Sequence, residues 1–178
     1  MSDTPATYTL PARLLHWATA IAVIAAIPLA VMAEYAAPPD KGALFFWHKS
    51  FGVLVFAIVA LRMAHRLIFG VPSPHPKLTP FERTASWAVH VTLYALLLII
   101  PLLGWWGSSA FGRPPSFFGL FTLPALTAEN PALGEQIMDV HVILAFAFGA
   151  LVLGHILFAV YHAVMRKDGI LSRMVTGH

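Results

Sequence analysis

The chain alternates four long apolar runs with short polar segments. The runs cover about residues 14–32, 43–69, 85–106 and 140–165, each near the ~20 residues an α-helix needs to cross a bilayer. Most charges fall between the runs rather than along one face of each, a pattern of membrane spans and not of surface helices. Start signals stand ahead of three runs. Thr79, Pro80 and Glu82 supply an N-cap, a proline at the first helical position and an acid at the third. Asn130 and Pro131 precede the fourth run similarly, and Asp40 is expected to cap the second. No repeat or low-complexity tract divides the chain. The expectation is all-α: one integral membrane four-helix bundle over residues 1–178. Residues 31–37 faintly resemble a cleavage site, but the run before them is long for a signal peptide, so the first helix is expected to remain.

Composition strengthens the membrane reading. Of 178 residues, 58% are hydrophobic and 11% charged, where soluble domains carry about 25% charge. Cysteine is absent, which excludes disulfides, thiolate-held iron–sulfur clusters and covalently attached c-type haem. The expected surroundings are membrane lipid, and no nucleic-acid partner is expected.

The loops are asymmetric in charge. Arg13, Arg66, Lys77, Arg83, Arg166, Lys167 and Arg173 lie on the side of the N-terminus, second loop and C-terminal tail. The other side has Lys41, Lys49 and Arg113 against Glu34, Asp40, Glu129, Glu135 and Asp139. The positive-inside rule then puts both termini in the cytoplasm. Trp47, Trp105 and Trp106 belong to the outer interface, Trp17 and Trp87 to the inner one.

Between Asp139 and Arg166 the fourth run contains no charge but three histidines. Imidazoles in a membrane helix need partners. His141 and His155 are 14 residues apart and share a face, with a rise of about 21 Å between them. His162, seven residues further on, continues the stripe by about 10 Å. His16 in the first run and His48 in the second offer partners across the bundle.

Facing neutral imidazoles suit the axial positions of a b-type haem in the bundle core. Zinc would want further ligands, and no acid lies within the spans. Depth pairs His48 with His141. His16 falls between the depths of His155 and His162, so spacing leaves its partner open. His90 reads equally well as a hydrogen-bonded packing residue, and His65, His75 and His178 as interface or loop residues.

These residues resemble the bacterial cytochrome b561 family of di-haem, four-helix membrane cytochromes, especially its short stand-alone superoxide oxidases. The resemblance rests on His16-Trp17, on His48, Ser50 and Gly52, and on Pro101 with Gly104. It continues through Phe118 to Pro124 and the spaced histidines of the fourth run. It implies one haem b between His16 and His155 and a second between His48 and His141. It also implies a quinone pocket beside His162 and a place in the bacterial inner membrane. Gly52, one turn after His48, suits close approach of a porphyrin, as do Gly149 and Gly154. Arg62 is costly within a span unless it snorkels or meets a haem propionate or a quinone oxygen.

The expected activity is oxidation of superoxide at the outer face, transmembrane electron transfer and reduction of ubiquinone. Lys49, next to His48, is the candidate guide for superoxide, and His162 the candidate titratable group at the quinone. The alternative is a di-haem subunit relaying electrons between quinone and a partner oxidoreductase. A histidine-lined metal transporter is disfavoured by the lack of carboxylates within the spans.

Overall fold

The structure, a computed structural model, describes residues 7–177; His178 lies outside them. The main elements are α1 (Leu10–Tyr35), α2 (Asp40–Phe69), α3 (Pro80–Ala110) and α4 (Pro131–Tyr161). A π-helical turn, His162–Arg166, continues α4, and a short α5 (Ser172–Val175) follows. All four main helices are long and apolar enough to cross a membrane. The fold is an all-α membrane bundle.

The helices extend beyond the apolar runs because their first turns are built by polar capping residues in the connecting segments. Thr9 Oγ1 accepts from Ala12 N at 3.3 Å, and Asn130 Oδ1 from Leu133 N at 3.1 Å. Thr79 and Glu82 form a complete capping box. Asp40 does not cap α2. Pro39 already has helical angles (φ −85°, ψ −11°) and is the cap, without a side-chain bond. Asp40 instead lies in the first turn, where a carboxylate complements the helix dipole.

α1 packs on α2 and α3 on α4, and the two hairpins meet mainly through α2 and α3. Ala22, Val23, Val55, Val59, Leu93, Leu97 and Phe148 form a buried cluster with members from all four helices. It occupies the middle of the bundle. The exposed surface is rich in large apolar side chains, among them Ile21, Ile24, Phe146 and Leu157, as a lipid-facing surface requires.

The α3–α4 connection adds a feature that the run pattern did not predict, a two-stranded hairpin of β1 (Ser116–Phe117) and β2 (Phe121–Thr122). Phe118 (φ 49°) and Gly119 (φ 76°) make its turn, closed by Leu120 N donating to Phe117 O at 2.9 Å. Consecutive left-handed residues match the twist of a tight hairpin, but a bulky side chain there is strained. Contacts offset the strain. The Phe118 ring lies 5.4 Å from Phe51 and 5.9 Å from Trp47, and its N–H donates to Ser50 Oγ at 3.1 Å. Ser50, 0% exposed, in turn shares its one hydroxyl proton between Ser116 O at 2.8 Å and Phe46 O at 2.9 Å. The hairpin is thereby pinned to α2 two residues from His48.

Candidate functional site

The bundle has two chemically distinct ends. At the hairpin end, His48 of α2 faces His141 of α4, with ring centres 6.3 Å apart. His48 Nδ1 donates to Ala26 O and His141 Nδ1 to Ile100 O, each at 2.9 Å. Both carbonyls lie within a turn of an intrahelical proline, Pro28 in α1 and Pro101 in α3. A proline there removes a main-chain donor and loosens the ladder. These bonds fix the tautomer, so Nε2 is the nitrogen left for a metal. Gly104 makes room for this ring, since a Cβ there would stand 3.1 Å from His141 Cε1.

At the end where both termini lie, His16 of α1 faces His155 of α4 at 6.4 Å. His16 Nδ1 is buried without a hydrogen-bond partner among the described residues. His90 is a close neighbour, its ring 5.3 Å from His155 and its Nδ1 donating to Ser86 O at 2.6 Å. Arg62 also approaches this group, with its guanidinium 5.1 Å from the Tyr94 ring centre. Resting on an aromatic face partly satisfies a cation within a span. Its charge bears on His16, His90 and His155.

The separations test whether these residues fit a haem. Bonds of about 2.0–2.1 Å to the metal, with about 1.1 Å from each nitrogen to its ring centre, put two axial rings roughly 6.2–6.4 Å apart. Both pairs fall in that range. No neighbouring side chain fills the positions beside Gly52 and Gly149, where an added Cβ meets nothing within 4 Å. Gly154 is exposed. The residues present fit the group.

His162 is elsewhere. Its ring packs on Phe158 at 4.2 Å and Tyr161 at 5.5 Å, and it is 0% exposed. The structure thus brings His155, not His162, opposite His16. Lys49 Nζ donates to Arg113 O at 3.1 Å, tying it to the loop before the hairpin.

Sequence reasoning missed Asp168, whose Oδ2 lies 2.5 Å from His162 Nδ1. Its only signal was an acid close behind a basic pair. Burial alone would raise the Asp168 carboxyl. The hydrogen bonds from His162 and Ile170 N–H, with the charges of His162 and Arg166, outweigh burial and hold it below its ordinary value.

Membrane-length helices carrying facing imidazoles define a membrane-bound electron-transfer cytochrome of the b type. The family model for prokaryotic cytochrome b561 matches residues 7–177, and the chain belongs to that family, whose members bind haem b. It is similar to cytochrome b561 homolog 2 of Escherichia coli strain K12, with 32% identity over 98% of this chain and 94% of that protein. Cytochrome b561 homolog 1 of the same strain is 27% identical over 90% of this chain and 92% of its own. The probable superoxide oxidase CybB of Yersinia pestis is 24% identical over 90% and 91%.

Proposed function

We propose that this chain oxidises superoxide at the periplasmic face of a bacterial inner membrane and reduces ubiquinone near the cytoplasmic face. The observation that carries the reading is the presence of two imidazole pairs at opposite ends of one helix, each at axial-ligand separation. His48 and His141 would hold one haem b, His16 and His155 the other. Bound haem supplies a one-electron couple at each level. The similarity to a probable superoxide oxidase supports the choice of donor.

Overall, two superoxide anions are oxidised to dioxygen, and one ubiquinone takes up the two electrons and two protons. Lys49 puts a cation beside His48 at the periplasmic end, where an arriving anion gains from it. Arg62 offers a positive partner for a propionate at the other end. His162, within the membrane-spanning helix, holds a proton at the quinone. Both termini are cytoplasmic in this reading, in keeping with the basic end of the bundle. A partner oxidoreductase is not required.

Purified protein tests this directly. Two reduced b-type α-bands, superoxide-driven haem reduction and superoxide-dependent ubiquinone reduction without other proteins are the expected results. Haem reduced by quinol but not by superoxide would move the chain to the relay function. Colourless protein would end the redox reading.

A further inference from the structure

The turn after α4 builds an arrangement that the haem pairs do not use. His162 opens the π-helical turn, His162–Arg166. A π turn shifts side chains off the α-helical line and often marks a functional site. Beyond it, Lys167 (φ 49°) turns the chain so that Asp168 comes back to His162, and Gly169 (φ 87°) follows Asp168.

The result is a buried imidazole with unequal nitrogens. Nδ1 lies 2.5 Å from Asp168 Oδ2. Nε2 is buried and has no hydrogen-bond partner among the described residues, a condition that costs stability unless a ligand takes the position. Asp168, 6% exposed, is itself held. Ile170 N donates to its Oδ1 at 3.3 Å, and Arg166 Nε lies 3.5 Å from Oδ2. Arg166 is fixed by Glu82 and by Lys77 O. His75 and Tyr161 are further titratable neighbours: His75 is close enough to interact with both Asp168 and His162, and the Tyr161 ring lies 5.5 Å from that of His162. The carboxylate is therefore set from α3, the second loop and the tail before any ligand arrives.

We infer that Asp168 is the positioning residue of the quinone-reducing end: it holds the Nδ1 proton of His162 and leaves Nε2 to meet a quinone oxygen. This rests on the assignment of His162 to the quinone in the proposed function. With Nδ1–H on Asp168, an added proton resides at Nε2, and the carboxylate compensates the imidazolium charge. As the quinone receives each electron given up by superoxide, the Nε2–H bond breaks and an O–H bond forms on the quinone. The ring returns to the neutral tautomer with Nδ1–H still on Asp168. A proton from cytoplasmic water restores Nε2–H, and two rounds give the hydroquinone.

The haem-loaded chain tests this with His162→Gln, Asp168→Asn and the double variant, using decylubiquinone as acceptor. Asp168→Asn should keep both α-bands and lower kcat about tenfold or more, with KM little changed. The double variant should be no slower than His162→Gln, because Asp168 acts through that ring. Slow His162→Gln beside wild-type kcat in Asp168→Asn overturns the inference alone, as does a double variant slower than either single one. Wild-type turnover in His162→Gln removes the quinone assignment itself. A measurement on the wild type needs no variant to fold well: ¹⁵N-histidine spectra, assigned by their difference from His162→Gln, should show Nδ1 of His162 protonated. A bare Nδ1 with Nε2–H overturns the inference.

Discussion

His48 and His141 face each other across the bundle with ring centres 6.3 Å apart, and each donates from Nδ1 to a main-chain carbonyl of a neighbouring helix. Four helices thus meet at one pair. Ordinary packing would explain one hydrogen-bonded imidazole; two such rings at this separation suit one metal between them.

The haem sites should be separable. His48→Ala or His141→Ala should remove the haem of the hairpin end and keep the other, while His16→Ala or His155→Ala should do the reverse. Difference spectra and pyridine haemochrome counts read this out. Loss of one haem in His162→Ala with retention in His155→Ala would reverse the pairing at the termini end.

Gly104 should control the seating of His141. Its missing Cβ would stand 3.1 Å from Cε1 of a ring already tied to Ile100 O. Gly104→Ala must push the ring or part α3 from α4, an overpacking cost of about 1–3 kcal/mol. The expected result is a shifted or depleted α-band at the hairpin end, with the other band unchanged. An unaltered spectrum would mean the ring gives way freely.

Ser50 should prove a stability residue. It is 0% exposed and ties Ser116 O and Phe118 N to α2. Ser50→Ala leaves buried polar groups unpaired, at about 1–3 kcal/mol. A lower melting temperature and faster amide exchange at Phe118 are expected. Wild-type protection there would show that the aromatic contacts alone hold the hairpin.

Lys49 separates charge from loop anchoring. Its Nζ bond to Arg113 O (3.1 Å) is one that Lys49→Gln weakens without reversing charge. Lys49→Glu should slow superoxide oxidation about tenfold at low ionic strength, Lys49→Gln less, and salt should reduce the difference. Equal rates in all three proteins would remove electrostatic guidance.

Much of this architecture was legible in the sequence because membrane spans are set by local composition. Apolar runs marked the four helices, and the caps at Thr79 and Asn130 acted through residues three apart. Asp40 misled because a cap depends on the backbone angles of Pro39, which composition does not report. The stripe of His141, His155 and His162 was likewise local, a consequence of helical periodicity.

Pairing is a different kind of fact. It depends on how helices far apart in sequence dock. Depth left His16 between two partners; docking of α1 brings it to His155, and the π turn accompanies a different environment for His162. Asp168 lies outside every apolar run, and it reaches His162 after the left-handed turn at Lys167. Ser50 meets the hairpin from 66 residues away. By itself the sequence determined the helices and the chemical groups they carry, since hydrophobic period and capping are short-range. The tertiary structure decided which of those groups meet, because burial and hydrogen bonding between distant segments are settled only when the bundle closes.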